Sequence, residues 1–360
     1  MVNKFEYMEK YGFEQLCFFQ DKDTGLKAIT CIHNTVLGPG LGGTRLWNYS
    51  SEEDAIEDVL RLARGMTYKS AMAGLQLGGG KSVIIGDVKK IRKDSVQREA
   101  FWRTFGRFVN GLGGRYITAE DMNTTPLDMN YVHMETKHVA GLHGRSGNPS
   151  PYTARGVYKS MLACCEFVFG ASSTIGKTVA IQGMGSVAYS LAEFLYQEGA
   201  KIVFSELDDE KAEKAISAFG AARVSADGIY SVDCDIYSPN AMGATVNDNT
   251  IPKLKCKIVC GGANNVLKDA ATHGKALKDK GIVYAPDYVA NAGGVINVSH
   301  EFDEGGYRED AAIIDIDRLY DRILEILRAS DEKGRLTHEI ADEMAEARID
   351  SVRKVKGIRC

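Results

Sequence analysis

The stretch TVAIQGMGSVAYSLAEFLYQEGAKIVFSE, residues 178–206, has the pattern of a strand, a tight turn, a helix and a second strand. Its turn, Gly183-Met184-Gly185-Ser186-Val187-Ala188, fits G-x-G-x-x-A. The first glycine of such a turn allows a sharp bend, the second lets a pyrophosphate approach the backbone, and the alanine permits close packing of helix on strand. The pyrophosphate then lies at the positive end of a helix. The stretch therefore predicts a dinucleotide-binding βαβ unit.

The second strand of this unit, KIVFSE, ends in Glu206, 23 residues beyond Gly183. A carboxylate at this place accepts hydrogen bonds from both ribose hydroxyls and repels a 2′-phosphate. We therefore expect the cofactor to be NAD and not NADP. A purely structural turn with a solvated Glu206 is the alternative.

The sequence around this unit predicts an α/β fold. Short apolar strands at 235–237, 258–260 and 282–284 are separated by helix-length segments, and such alternation is typical of a doubly wound parallel sheet. The stretch SGNPSPYTARG, residues 146–156, contains two prolines and several small polar residues and predicts a connector between two domains.

The first half of the chain mixes strands and helices. GLKAITCIHN (25–34) is rich in β-branched residues and predicts a strand. Residues 50–74 predict a long helix that starts with a capping box formed by Ser50 and Glu53. A second amphipathic helix is expected from residue 95 to the glycines near 114.

Composition excludes several classes of protein. The net charge of −4 provides no basic surface for nucleic acid or an anionic membrane. The charged start gives no indication of a secretory signal, and the apolar runs are shorter than the ~20 residues of a membrane helix. The eight cysteines form no Cys-x-x-Cys pair, and HEIADEM at His338 lacks the second histidine of a zinc motif. We expect a cytoplasmic protein with reduced thiols and no metal site.

The stretch AGLQLGGGKSVIIGD, residues 73–87, places three glycines before Lys81. A phosphate-binding P-loop would need glycine where the chain has Leu75, so Lys81 is better interpreted as an active-site lysine. Lys69 precedes it by twelve residues, and Asp121 ends the β-like run GRYITAED. If the three converge, one lysine can bind a substrate carboxylate, the other can act as a base, and the aspartate can orient it. Ordinary surface charges are the alternative.

Six motifs resemble the amino acid dehydrogenase superfamily, and most of all its leucine dehydrogenases, in unbroken order over residues 5–353. They are GPGLGGTRLW, RLARGMTYKSAMAGLQLGGGKSVIIGD, GRYITAED, GNPSPYTARGV, IQGMGSVAY and APDYVANAGGVINV. The resemblance implies that Lys69 binds the substrate carboxylate, that Lys81 is catalytic and that Asp121 assists proton transfer. It implies backbone lining of the cleft by Gly42 and Gly43.

The resemblance also implies residues for the cofactor and for the substrate side chain. Thr153 matches the threonine that fixes the nicotinamide amide, and Asn265 and Asn291 match asparagines near substrate and cofactor. The cofactor turn comprises Gly183, Met184, Gly185, Ser186 and Val187. The expected side-chain pocket is aliphatic and consists of Leu41, Met66, Ala119, Val295 and Val298. Phenylalanine-specific relatives tend to carry Gly-Thr-Asp at residues 119–121 and Gly-Gly-Leu at 293–295, so both differences favour a branched aliphatic substrate.

The implied architecture is a substrate and oligomerisation domain of residues 1–145, to which residues 330–360 return, and a Rossmann-type NAD domain of residues 146–329. The cleft between them closes on substrate, and the assembly is a homo-octamer. The implied reaction is NAD-dependent oxidative deamination of leucine, valine or isoleucine. The alternatives are a dehydrogenase that acts on phenylalanine or another L-amino acid, and a non-catalytic NAD-binding sensor. Three residues near the expected cofactor site differ from those usual in the family, and we expect them to alter the affinity for the cofactor. They are Glu206, Asn240 and Met242.

Overall fold

The structure, a computed structural model, describes residues 4–142 and 144–356. The chain divides into two units. The first unit runs to Gly147 and includes Val298–Tyr307 and the chain from Ala345 onward, and the second comprises Asn148–Asn297 and Arg308–Met344. The break thus falls two residues after the predicted one. The C-terminal return begins at Ala345, later than the expected residue 330, and the sequence did not single out the segment Val298–Tyr307.

The first unit is built on a mixed five-stranded sheet. Its strand order is β1-β2-β4-β3-β5, with β1–β2 and β2–β4 antiparallel and β3–β4 and β3–β5 parallel. Strand β4 is therefore central, and β3 separates it from β5. The bounds are β1 Gln15–Gln20, β2 Lys27–Asn34, β3 Gly40–Trp47, β4 Gly78–Ile85 and β5 Tyr116–Glu120.

Helices cover both faces of this sheet. Because side chains alternate between the two faces along a strand, Ile29 and Val83 pack toward α2 (Glu52–Met72), whereas Ile32 and Ile84 pack toward α4 (Ser95–Gly111). Helix α2 begins one residue later than predicted, because Ser51 and not Ser50 accepts the amide hydrogen three residues on. The helices are α1 Lys4–Tyr11, α2 Glu52–Met72, α3 Val88–Arg92, α4 Ser95–Gly111 and α5 Pro126–His133.

The second unit contains the predicted parallel sheet. Six strands lie in the order β11-β10-β9-β6-β7-β8, and every pair is parallel. Because the chain moves outward from β6 in one direction and then in the other, β6 marks the switch point at which doubly wound sheets bind ligands. The strands are β6 Thr178–Gln182, β7 Lys201–Ser205, β8 Ala222–Arg223, β9 Ile236–Pro239, β10 Ile258–Val259 and β11 Val283–Tyr284.

In the part of the chain that the structure describes, nine further α-helices follow, and the last of them contributes residues to both units. They are α6 Ser150–Phe169, α7 Ser186–Glu198, α8 Asp209–Phe219, α9 Ala270–Asp279, α10 Asp287–Ala290, α11 Gly293–Ser299, α12 Glu309–Asp317, α13 Leu319–Lys333 and α14 Thr337–Lys356. The predicted two-domain α/β fold class is confirmed. Within residues 4–142 and 144–356, no helix has the length and apolar character needed to cross a bilayer.

Candidate active site

The three glycines before Lys81 lie in strand β4 and do not form a phosphate loop. A Cβ atom at Gly79 would lie 2.1 Å from the backbone nitrogen of Thr67 in α2, and one at Gly80 would lie 2.6 Å from the ring of Tyr116 on the opposite face. Only glycine therefore fits there, because a helix and an aromatic ring press directly on the strand backbone. The close packing brings the C-terminal part of α2 next to the strand that carries Lys81.

Strand β3 has two glycines beside this position. A Cβ atom at Gly42 would lie 1.8 Å from the carbonyl oxygen of Gly80, and one at Gly43 would lie 2.8 Å from the Cβ atom of Asp121. The hydroxyl of Tyr116 donates a 2.6 Å hydrogen bond to the Gly42 carbonyl. The absence of side chains at both positions leaves room for the side chains that flank β3.

Lys81 and Asp121 meet across these glycines. The Nζ atom of Lys81 lies 3.1 Å from Oδ1 of Asp121, and the Lys81 side chain is only 6% exposed. Lys81 pairs across the sheet with Cys31, which belongs to the face covered by α2. The structure therefore brings together two of the three residues that the sequence analysis singled out, in a nearly buried ion pair.

Arg45 is a third member of this cluster, and its place there was not predicted from the sequence. Its Nε atom lies 3.0 Å from Oδ2 of Asp121, and its Nη1 atom lies 2.9 Å from Oδ2 of Asp58. Tyr49 donates a 2.8 Å hydrogen bond to the same Asp58 oxygen. A charged residue in the mostly apolar strand GLGGTRLW was an indication of it in the sequence, because charges in buried strands are paired.

The two cations determine the charge of Asp121. Burial raises the pKa of this carboxyl group, but the charges of Lys81 and Arg45 and their hydrogen bonds outweigh burial and lower the pKa to about 2. Asp121 is therefore ionised at any pH at which the protein works. The neighbouring Glu120 differs, since burial and the Asp121 charge raise its pKa.

Lys69 lies in the last turn of α2, two residues beyond Thr67, and is half-buried. The end of this helix is held by Arg348 of α14, which donates to the carbonyl oxygens of Ser70, Ala71, Gly74 and Leu75. The positive charge of Lys69 is also stabilised here by the negative end of the helix dipole. The segment that carries Lys69 is thus held by Arg348 and by the close packing of α2 on β4 at Gly79.

The residues predicted for the substrate side chain are divided between the units. Leu41, Met66, Ala119 and Val298 belong to the first unit, and Val295 belongs to the second. Met66 and Ala119 are half-buried, whereas Leu41 is 1% exposed and Val298 is 8% exposed. The Met66 Cγ atom lies 3.3 Å from the place of a Cβ atom at Gly42. Their role in substrate recognition stays a prediction.

The G-x-G-x-x-A turn connects β6 to α7 as the sequence predicts. Gly183 has a φ of 83°, and a Cβ atom there would lie 2.7 Å from Ala241, so glycine is required. Gly185 caps the N-terminus of α7, and nothing lies within 4 Å of the place of its Cβ atom. An open helix N-terminus of this kind can hold a pyrophosphate.

Glu206 lies beside this turn. One carboxylate oxygen accepts a 2.7 Å hydrogen bond from the Met184 amide, and the other accepts hydrogen bonds from the amides of Leu207 and Asp208. Burial raises the pKa of Glu206, but the three backbone hydrogen bonds lower it below its ordinary value. A fixed negative charge next to the turn fits a ribose with a free 2′-hydroxyl.

The other predicted cofactor residues, Asn291 and Thr153, and the predicted substrate residue Asn265 also lie in the second unit. Asn291 is 5% exposed, and its side-chain nitrogen donates to Asn264 at 2.8 Å and to the Gly262 carbonyl at 3.2 Å. Among the described residues, nothing donates to its buried Oδ1 atom. Such an acceptor fits the carboxamide of a nicotinamide. The Thr153 hydroxyl lies beside Gly294, and Asn265 is exposed with a φ of 53°.

Comparison with known proteins defines the class. Residues 14–138 match the Glu/Leu/Phe/Val dehydrogenase dimerisation domain, and residues 204–309 match the glutamate/leucine/phenylalanine/valine dehydrogenase family. These segments cover more than half of the chain, which therefore belongs to the Glu/Leu/Phe/Val dehydrogenase family. The prediction of an amino acid dehydrogenase is confirmed.

Individual members of this family are similar to the chain over nearly its full length. The leucine dehydrogenase of Thermoactinomyces intermedius is 54% identical over 98% of this chain and 95% of that protein. The leucine dehydrogenase of Bacillus subtilis is 52% identical over 97% of this chain and 95% of that protein. The crystal structure of L-tryptophan dehydrogenase from Nostoc punctiforme has a TM-score of 0.84 at 40% identity and covers 97% of this chain and 99% of that one.

Proposed function

We propose that the protein catalyses the NAD-dependent, reversible oxidative deamination of a branched-chain L-amino acid, with leucine preferred and valine and isoleucine also accepted. The observation that supports this most strongly is the ion pair of the buried Lys81 with the partly exposed Asp121, with Nζ and Oδ1 3.1 Å apart. A lysine that is buried and positioned by a carboxylate can transfer protons to and from a substrate.

The residues of the second unit fit an NAD molecule. Gly183, Gly185 and the start of α7 would hold the pyrophosphate, Glu206 the adenosine ribose, and Asn291 and Thr153 the nicotinamide amide. Bound NAD supplies an acceptor for the hydride that leaves the substrate Cα atom. The negative charge of Glu206 disfavours a 2′-phosphate, which supports NAD over NADP.

The first unit supplies the groups that act on the substrate. The Lys69 ammonium pairs with the substrate carboxylate and fixes its orientation. Loss of the Cα hydride leaves an iminium ion, and Lys81, in its neutral amine form at this step, takes a proton from a water molecule while the water oxygen bonds to the iminium carbon. Asp121 holds Lys81 in place and assists these proton transfers. Lys81 then returns the proton to the nitrogen of the resulting carbinolamine and, again neutral, takes the hydroxyl proton as the C–N bond breaks, so that the products are ammonia and the 2-oxo acid.

The aliphatic pocket residues support a branched-chain substrate. Leu41, Met66, Ala119, Val295 and Val298 are all apolar and none is aromatic. An apolar pocket distinguishes substrates that differ by one methylene by only about 1–3 kcal/mol. Leucine, isoleucine and valine are therefore expected to differ in rate by modest factors, with phenylalanine and tryptophan far behind.

We further propose that the chain works as a homo-oligomer, with the octamer that the family resemblance implies. The match of residues 14–138 to a dimerisation domain supports an oligomer. Light scattering tests this proposal. Eight times the mass of one chain is expected, and the mass of a monomer would overturn it.

A panel of L-amino acids, each with NAD and with NADP, tests the proposed reaction and substrate. The expected result is the highest kcat/KM with leucine and NAD. A preference for phenylalanine or tryptophan would overturn the branched-chain assignment and leave the reaction class in place. Absence of NADH formation with every amino acid would favour a non-catalytic NAD-binding protein.

A further inference from the structure

The carboxylate of Asp121 has two oxygens, and each is bound by a different cation. Oδ1 lies 3.1 Å from Nζ of Lys81, and Oδ2 lies 3.0 Å from Nε of Arg45. The three side chains come from β4, from the residue after β5, and from β3 between them. Asp121 is therefore held from both sides, and Lys81 has one fixed oxygen to bind.

Arg45 is itself fixed from behind. Its Nη1 atom lies 2.9 Å from Oδ2 of Asp58 in α2, and its side chain is 19% exposed. The Tyr49 hydroxyl donates to the same oxygen of Asp58 at 2.8 Å, and Arg61 binds the other oxygen at 2.9 Å. Because a guanidinium is planar and its donors are rigidly arranged, Arg45 cannot turn away from Asp121 without also leaving Asp58.

Charge in this cluster is balanced. Lys81 and Arg45 carry two positive charges, and Asp121 and Asp58 carry two negative charges, all on side chains that are 25% exposed or less. Loss of one partner from such a group leaves an uncompensated buried charge. Without Arg45, the pKa of Asp121 would rise, because Lys81 alone would oppose the effect of burial, and Oδ2 of Asp121 would lose the cation that fixes it.

From this geometry we propose that Arg45 is a positioning residue of the deamination reaction: it fixes the orientation and the charge of Asp121 and thereby aims the Lys81 amine. The inference rests on the proposed function and adds a residue to it. Arg45 touches Asp121 and needs no contact with substrate or cofactor. It acts on the rate of proton transfer and not on the affinity for the amino acid.

The other titratable groups near Asp121 are Glu120, which precedes it, Tyr49 and Asp58 behind Arg45, and Tyr116 on the far side of the sheet. Arg45→Gln removes one positive charge from this group of residues. The remaining cluster then binds protons more tightly, so the pH–rate profile moves to higher pH.

Arg45→Lys separates charge from geometry. Lysine keeps the positive charge but cannot bind Asp121 and Asp58 together through a rigid fork. We expect kcat with leucine to fall about tenfold or more in Arg45→Gln and by a smaller factor in Arg45→Lys. KM for leucine should stay within about threefold of the wild-type value in both variants, since Lys69 is unchanged. Only the glutamine variant should shift the pH–rate profile.

Arg103→Gln is the matched control. Arg103 also binds two carboxylates, Glu99 at 3.1 Å and Glu135 at 2.7 Å, but it lies in α4 on the other face of the sheet. Its kcat and pH–rate profile should equal those of the wild type. A second readout is chemical rescue of Arg45→Ala by ethylguanidinium chloride, with sodium chloride at equal ionic strength as control. Rescue shows that the variant is folded and lacks only the guanidinium.

The outcomes separate this inference from the proposed function. If the wild type oxidises leucine and Arg45→Gln keeps its kcat and its pH–rate profile, the role of Arg45 is wrong and the proposed function stands. The role is also wrong if KM rises while kcat is unchanged, or if ethylguanidinium restores nothing to a folded Arg45→Ala protein. A wild-type protein that oxidises no amino acid overturns both.

Discussion

The Nζ atom of Lys81 lies 3.1 Å from Oδ1 of Asp121, although β4, which carries Lys81, and β5, which Asp121 directly follows, are not neighbours in the sheet. Strand β3 lies between them, and its glycines at 42 and 43 have no side chains of their own to obstruct the pair. The pair therefore depends on the strand order and on the two glycines as much as on the charged residues themselves.

Substitution of Gly42 tests this dependence. A Cβ atom at Gly42 would lie 1.8 Å from the carbonyl oxygen of Gly80 in the middle of the sheet. Gly42→Ala should lower the free energy of unfolding by about 3 kcal/mol, since two backbones must move apart. Gly65→Ala is the control, because Gly65 lies in α2 with nothing within 4 Å of the added Cβ atom. It should stabilise the protein by about 0.5–1 kcal/mol. Equal effects in denaturant unfolding would contradict this account of β3.

Lys69→Ala should act on substrate binding. Loss of a charged hydrogen bond of about 1.5–3 kcal/mol corresponds to a rise in KM for leucine of roughly tenfold to a hundredfold, with a smaller change in kcat. Inhibition by the 2-oxo acid product should weaken by a similar factor, since the product has the same carboxylate. Lys22→Ala, at an exposed position, serves as control. A loss of kcat at unchanged KM would mean that Lys69 does not bind the carboxylate.

Glu206→Gln should reduce the preference for NAD. The variant keeps the size of the side chain but removes the negative charge that lies beside the turn at Gly183. The ratio of kcat/KM for NAD to that for NADP should fall about tenfold, which corresponds to about 1.4 kcal/mol. Asp209→Asn, at an exposed neighbouring position, should leave the ratio unchanged. A wild-type preference for NADP would refute the role of Glu206.

The charge of Asp121 has a consequence for stability. Lys81 and Arg45 outweigh burial and lower the pKa of Asp121 from its ordinary 3.8 to about 2. Because the folded-state pKa is the lower one, the ionised group stabilises the folded protein above about pH 4 and loses this effect as the pH falls toward 2. The difference in unfolding free energy between the wild type and Asp121→Asn should shrink by on the order of 2 kcal/mol over this range. A difference that is constant between pH 6 and pH 2.5 would show that the carboxylate is not held by the two cations.

Local sequence predicted the cofactor turn well. The order of strand, Gly183, Gly185 and helix is fixed within a dozen residues, and the φ of 83° at Gly183 is a local property that only glycine adopts easily. Helix α2 was also predicted, but its start was placed at Ser50, since Ser50 and Ser51 each lie three residues before an acidic residue. Spacing alone cannot distinguish two such caps.

Contacts between distant residues could not be predicted in the same way. Arg45 pairs with Asp58 and Asp121, which lie 13 and 76 residues away, and only the strand order of the sheet brings them together. Thr67 on one side requires Gly79 and Tyr116 on the other requires Gly80, whereas the Asn34 carbonyl requires Gly78. The sequence alone does not say which residues press on a strand. The return of the chain to the first unit at Ala345 falls inside α14, where no break in the helical pattern marks it.

The measurement that tests the central claim most directly is the rate at which wild-type protein and Lys81→Ala convert L-leucine and NAD to NADH and ammonia. Wild-type protein should release the two products in equal amounts, and the variant should turn over at least about 100-fold more slowly. NAD binding should be unchanged in the variant, and Lys89→Ala, at an exposed position in α3, should behave as wild type. A folded Lys81→Ala protein with wild-type turnover would contradict the account.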